Sequence, residues 1–231
     1  MSTLLVQELT FAYPGGPPVL AGVDLAVEAG SVYFLLGANG SGKSTLLACI
    51  LGFLRPTAGR ILVEGVDVVQ EPQKARKLIA YVPENVALWG FLTGVEHVRL
   101  FGQMLGVAPA AEEVLARVGL PEESWRRPVA GFSKGMRQKL ALALATMGPA
   151  RLCLLDEPTS GLDPDSAVAM VELLRSLAGS GAAVLVVTHD VWLVEKAADS
   201  YGFLRGGRVV LQQEPRETGL FFLGKERPRQ G

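Results

Sequence analysis

Several things are scarce in this sequence, and each absence excludes something. Only two cysteines, Cys49 and Cys153, occur in 231 residues, in separate apolar stretches and with no CxxC spacing. A disulfide framework is therefore not encoded, and both read as buried, reduced thiols suited to a reducing compartment. Charge of one sign is never in excess: 22 Lys and Arg stand against 23 Asp and Glu, for a net −1. Without a basic surplus there is no electrostatic footprint for nucleic acid, and no block of like charge makes an acidic tail. No apolar run approaches the roughly 18 residues that cross a bilayer. The first residues, MSTLLVQELTFAYPGG, lack the basic stretch and long apolar core of a secretory leader. The chain is thus expected not to span a membrane. No internal repeat and no low-complexity segment divides it.

What is present is apolar residue in quantity, 49% of the chain against 19% charged, enough for one α/β domain with a sizeable core. The first thirty residues read as β: Leu5, Leu9 and Phe11 share one apolar run, and Val23, Leu25 and Val27 alternate with Asp24, Ala26 and Glu28. Short apolar runs at 31–36, 78–82, 152–155 and 184–187 read as buried strands, with helices expected over 44–51, 134–147, 164–177 and 191–197. Between residues 94 and 125 the apolar spacing turns helical, through Val95, Val98, Phe101, Leu105, Val114 and Val118. Two strands near 201–204 and 209–211 flank Gly206-Gly207, a hairpin signal. Buried strands alternating with helices imply a parallel sheet covered on both faces, with ligands at the carboxyl ends of its strands.

One such strand ends abruptly in Gly37-Ala38-Asn39-Gly40-Ser41-Gly42-Lys43-Ser44, a GxxxxGK[ST] pattern followed by a helix. Glycines let the backbone curl so that successive N–H groups, and the positive end of the next helix, converge on polyphosphate. Lys43 adds a cation for the β- and γ-phosphates, and Ser44 a hydroxyl for Mg²⁺. A second apolar run, Leu152-Cys153-Leu154-Leu155, ends in Asp156-Glu157. Two acids at a buried strand end need a reason, because unpaired carboxylates there are costly. Mg²⁺ near Asp156 supplies it, and Glu157, one residue further, is placed to polarise the attacking water as a general base. His189 closes a third strand, where a γ-phosphate contact and a purely structural role are both open.

Taken together these pieces resemble the nucleotide-binding domain of ABC transporters, over about residues 2–212. Phe132-Ser133-Lys134-Gly135-Met136 stands where the family carries its LSGGQ signature, upstream of Leu154-Leu155-Asp156-Glu157-Pro158-Thr159-Ser160-Gly161-Leu162-Asp163. The resemblance implies a P-loop NTPase parallel sheet core with an N-terminal antiparallel β subdomain and a helical signature subdomain. Residues 1–212 would form the ATPase domain, about 85–145 its inserted helical part, and 213–231 a short tail, polar apart from residues 220–223. It implies ATP and Mg²⁺ as ligands. Tyr13 would stack on adenine; Gly37, Asn39, Gly40, Ser41, Gly42, Lys43, Ser44 and Thr45 would hold the phosphates; Ser44, Glu84 and Asp156 would hold the metal. Glu157, His189 and Lys43 would be catalytic. Two protomers would close head to tail around two ATP molecules, with Ser133 and Gly135 of one facing the γ-phosphate held by the other, and Asp163 coupling the sites. A separate integral membrane permease would be driven from the cytoplasmic side, where the chain would sit peripherally on the inner face of the cell membrane. Trp89, Phe91 and Leu92 would either meet that permease or pack inside the helical part.

Three positions depart from the family pattern. Glu84 replaces glutamine, keeping an acceptor oxygen but losing the amide donor. Lys134 replaces a glycine, pointing to phosphate or to solvent. Met136 replaces glutamine. This pattern is similar to ATPases of small exporter-like systems, so export is the expected direction. The alternative is a hydrolysis-deficient regulatory, or non-transport, ABC protein.

Overall fold

The computed structural model describes residues 2–213. Its centre is a six-stranded sheet in the order β10-β9-β3-β8-β7-β6. The strands are β3 (Val32–Leu36), β6 (Ile79–Val82), β7 (Leu152–Asp156), β8 (Ala183–Thr188), β9 (Ser200–Arg205) and β10 (Arg208–Gln213). All neighbours are parallel except the terminal hairpin of β9 and β10. β3 and β8 are buried along their whole length. Their side chains alternate between two cores, as a pleat covered on both faces requires. Tyr33, Leu35, Leu185 and Val187 enter one, whereas Phe34, Leu36, Val184 and Val186 enter the other.

The first core lies under a four-stranded antiparallel sheet, β2-β1-β4-β5, built from β1 (Ser2–Ala12), β2 (Pro18–Glu28), β4 (Ala58–Val63) and β5 (Val66–Asp67). Its inward residues, among them Leu4, Val6, Leu9, Leu25 and Ile61, are almost wholly buried and join Leu46, Leu47 and Ile50 of α1 (Lys43–Ile50). The antiparallel sheet is therefore not contiguous in sequence: β4 returns after α1 to pair with β1. α2 (Pro72–Lys77) had no signal in the apolar spacing. It is one and a half turns long, opens on Pro72, and buries only Ala75.

The second core is covered by α6 (Pro164–Gly179), through Met170 and Leu174, and by α7 (Val191–Ala197), through Leu193 and Val194. A third core joins α3 (Gly94–Leu105), α4 (Ala111–Arg117) and α5 (Lys134–Ala145) through Val95, Val98, Leu115, Phe132 and Leu140. Thr93 starts α3 with a capping box: its Oγ1 accepts from Glu96 N–H at 3.2 Å, and Glu96 Oε2 accepts from Thr93 N–H at 2.7 Å. α5 serves two cores. Leu140 and Leu144 face the helical one, while Ala141 and Leu142 face the sheet. Both cysteines are buried and free, and burial pushes each thiol up to about 11.

Candidate functional site

The register of the central sheet assembles the site. Leu36 pairs with Thr188, and Val187 with Asp156, so the carboxyl ends of β3, β8 and β7 finish side by side. β6 lies next to β7 in the same direction and delivers Glu84 just beyond Val82. Residues far apart in the chain thus line one cleft of about 500 Å³: Tyr13, Asn39, Gly40, Gly42, Lys43, Ser44, Thr45, Glu84, Asp156, Glu157 and His189.

The loop between β3 and α1 is shaped for a phosphate chain. Gly40 and Gly42 adopt positive φ, 79° and 105°, where a Cβ is strained. The Lys43 side chain is buried, and its ammonium donates to the carbonyl oxygens of Gly37 at 2.7 Å and Ala38 at 3.2 Å. Those carbonyls hold the cation at the loop, where phosphate oxygens would compete for it. Gly37 and Ser41 turn their other side to a neighbouring apolar groove.

Opposite stand three carboxylates. Burial, helped by the charges of Glu157 and Glu84, pushes Asp156 above the ordinary aspartate range, and Lys43 opposes the shift. Glu157 occupies the left-handed region at φ 46°, with its amide donating to Val187 O at 2.8 Å. Both of its carboxylate oxygens have hydrogen-bond partners. Oε2 accepts from Thr188 Oγ1 at 2.8 Å, and Oε1 lies 2.7 Å from His189 Nδ1. The strand-end histidine and the candidate base are therefore one hydrogen-bonded pair. Thr188, adjacent to His189 in sequence and wholly buried, is a partner of Glu157 that sequence reading missed; a hydroxyl at a buried strand end is its signal. Glu84 is likewise held, by Ser160 Oγ at 3.0 Å.

No group of three acidic, histidine or cysteine side chains among the described residues is arranged to hold a metal ion alone.

Tyr13 sits at the mouth of the cleft, 48% exposed, with its hydroxyl 3.4 Å from Thr45 Oγ1 and its ring edge-on to Phe11 at 5.0 Å. Ser133, Gly135 and Asp163 are not in the cleft. Ser133 caps α5, its Oγ accepting from Met136 N–H at 3.2 Å. Asp163 caps α6, accepting from Ser166 Oγ at 2.7 Å and from Ser166 N–H at 2.8 Å, and these contacts lower its carboxyl below the usual range. Gly135 lies where a Cβ would come within 2.8 Å of Ser166 Oγ and 3.1 Å of Ser166 Cβ, so the Ser166 side chain would have to shift to admit any larger residue. Lys134 is exposed, yet its ammonium lies over Gly161, 3.2 Å from where a Cβ would sit. Trp89 and Phe91 are 46% and 76% exposed and Leu92 is half-buried; Trp89 also stacks on the buried His97 of α3 at 5.9 Å and lies 6.2 Å from Phe101.

Residues 20–160 match the profile of the family described as ABC transporter. The lantibiotic transport ATP-binding protein SrtF of Streptococcus pyogenes is 32% identical over 212 residues, covering 91% of this chain and 90% of that protein. The daunorubicin resistance ATP-binding protein DrrA3 of Streptomyces coeruleorubidus is 38% identical over 203 residues; the match covers 86% of this chain but only 64% of that longer protein. EcsA of Bacillus subtilis, an ABC-type transporter ATP-binding protein, is 34% identical, with 90% and 86% covered. Among solved structures, cbiO1 from Clostridium perfringens, part of the ABC transporter complex cbiONQ, superposes with a TM-score of 0.83 at 30% identity, covering 94% of this chain and 90% of that one. An ATP-binding subunit of an ABC transporter superposes at 0.81 and 33% identity, covering 92% and 90%. With a cleft that gathers a phosphate loop, two strand-end acids and a strand-end histidine, and with these relatives over nearly its whole length, the chain belongs to the ABC transporter family as one of its nucleotide-binding subunits.

Proposed function

We propose that this subunit hydrolyses ATP, in a pair of protomers closed around the nucleotide, and so drives a separate membrane permease in the export direction. The observation that carries the reading is the Glu157–His189 pair, 2.7 Å apart and held by Thr188 in the same cleft as Lys43.

The chemistry assigns each group a task. Backbone N–H groups of residues 39–45, the start of α1 and the Lys43 ammonium hold the phosphates. Tyr13, at the open end, offers its ring to the base. Ser44, Asp156 and Glu84 would hold Mg²⁺, which supplies charge neutralisation at the transferring phosphoryl group. Glu157 accepts a proton from the water whose oxygen bonds to the γ-phosphorus as the bond to the bridging oxygen breaks, releasing ADP and phosphate. Thr188 and His189 orient that carboxylate, and His189 is additionally placed to donate toward the γ-phosphate. Ser133 and Gly135, outside the cleft of their own chain, are free to complete the partner's site with the positive end of α5, with Asp163 nearby to couple the two sites. Trp89 and Phe91, with the half-buried Leu92 beside them, offer apolar surface to a permease on the cytoplasmic face of the membrane. Among the described residues no helix is long and apolar enough to cross a membrane, consistent with a peripheral subunit. The relatives named for daunorubicin resistance and lantibiotic transport support export.

Mg²⁺-dependent ATPase rate should be measured against protein concentration, beside Glu157→Gln. A composite site predicts a rate that rises faster than linearly. The variant should lose a factor of about 10²–10⁴ while still binding ATP and forming an ATP-stabilised dimer. A wild type that binds ATP and never hydrolyses it would assign the chain to a regulatory role instead.

A further inference from the structure

His97 is a wholly buried histidine that the chemistry above does not use. It lies at the end of the first turn of α3, with both ring nitrogens engaged. Nδ1 is 2.9 Å from the carbonyl oxygen of Thr93, and Nε2 is 3.2 Å from the backbone nitrogen of Trp89. A carbonyl oxygen only accepts and a backbone N–H only donates. Nδ1 therefore carries the proton and Nε2 is the acceptor, which fixes the imidazole as one neutral tautomer. The Trp89 ring stacks on the same imidazole, so His97 clasps both the backbone and the side chain of that residue.

The clasped segment leads to the start of α5. Leu92 N–H donates to Trp89 O at 3.1 Å and closes a tight turn that carries the exposed Phe91. Facing this turn, Ala130 N–H donates to Gly90 O at 2.8 Å and Val129 N–H donates to Leu92 O at 2.9 Å. Thr93 and Pro128 extend the contact as an antiparallel bridge. Val129–Gly131 form a short 3-10 turn. The next two residues are Phe132, buried in the helical core, and Ser133, the cap of α5. The backbone of the exposed turn and the backbone that aims Ser133 are thus hydrogen-bonded to each other, and His97 is the side chain that ties the first of them to α3.

We propose that His97 is a positioning residue that, through the turn at 89–92 and residues 129–130, sets where Ser133 is presented to a partner protomer. The inference rests on the reading above that Ser133 completes the partner's nucleotide site. An apolar side chain of similar volume at position 97 would fill the same space, but it would leave Trp89 N–H without its acceptor and release the turn.

The first measurement is made on the isotope-labelled wild-type chain by NMR. The His97 proton should sit on Nδ1, with Nε2 bare and coupled across the hydrogen bond to the Trp89 amide. A proton on Nε2 would overturn the proposal without any variant having to fold. His97→Leu and His97→Gln are then compared, because the Gln amide oxygen stands as far along its side chain as Nε2 and can accept from Trp89 N–H. In His97→Leu the Trp89 amide should exchange about tenfold faster, with faster exchange also at residues 129–133, and His97→Gln should return both to within about threefold of wild type. The same substitutions are placed in Glu157→Gln and the ATP-stabilised dimer is measured. His97→Leu should leave ATP binding by the monomer unchanged and weaken the dimer about threefold or more, with His97→Gln restoring it. If Glu157→Gln alone forms no dimer, the composite-site reading falls and this inference falls with it. If that dimer forms and His97→Leu neither loosens residues 129–133 nor weakens it, the composite site stands and His97 has no part in it.

Discussion

Asp156 illustrates how this site sets function against stability at the scale of one residue. Its carboxyl is pushed up by burial and by two neighbouring acids. The folded state therefore keeps the proton to a higher pH than the unfolded state, and stability falls as pH rises from the ordinary aspartate range through the raised value. Asp156→Asn removes that charge. Without nucleotide, it should melt a few degrees above wild type near pH 8, where a chain of this length shifts about 2–4 °C per kcal/mol. The gap should close as pH falls below the usual aspartate range. Calorimetry across pH checks it, and a variant that melts lower at pH 8 contradicts the account. Hydrolysis should be lost in the same variant. Gly161 gives a second test at this scale. It holds φ 65°, and its missing Cβ faces the flexible end of Lys134. Gly161→Ala should cost about 1–2 kcal/mol, from the left-handed backbone. Lys134→Ala should recover little of it, since a lysine tip moves aside cheaply. A double-mutant cycle in urea with a coupling above about 1 kcal/mol would show instead that Lys134 is fixed in place.

Elements meet in this chain through backbone as much as through side chains. β1 carries Glu8 at φ 47° and shifts register against both its partners around that point. Gly59 of β4, at φ 81°, lies against the irregular segment, where a Cβ would stand 2.5 Å from the carbonyl oxygens of Gln7 and Glu8. Neither obstacle is a side chain that can swing away. Gly59→Ala should therefore cost about 3 kcal/mol or more, as clash adds to backbone strain. Gly65→Ala should cost only about 1 kcal/mol, because Gly65 has a similar φ of 75° but nothing within 4 Å of its Cβ. Chemical denaturation of the two variants separates space from backbone conformation, and equal losses would refute that separation. The helix starts follow local rules that sequence already displays. Thr93 with Glu96, Ser133, and Asp163 before Pro164 each cap the helix they precede.

Across the whole molecule, α5 is the element that ties the helical part to the sheet, because adjacent positions on it face different cores. Leu140→Ala and Leu142→Ala each remove a nearly fully buried side chain and should cost about 2–5 kcal/mol locally. Their amide-exchange patterns should differ: Leu140→Ala loosens α3 and α4 chiefly, while Leu142→Ala also loosens β7 and β8. Identical patterns would mean that the cores unfold as one unit. What the sequence alone determined is whatever depends on neighbours along the chain. The phosphate loop, the acids ending β7, the histidine ending β8 and the period of each buried strand are local patterns, and each is found where its spacing put it. Only the tertiary structure decided the partners. Pairing β4 with β1 across α1, joining Glu84 to Ser160 and Glu157 to Thr188, laying Lys134 over Gly161, and leaving Trp89 and Phe91 at the surface all join or expose residues by the register and packing of distant segments. Those choices are fixed by which faces can be buried together, a property of the assembled layers and of no single stretch of chain.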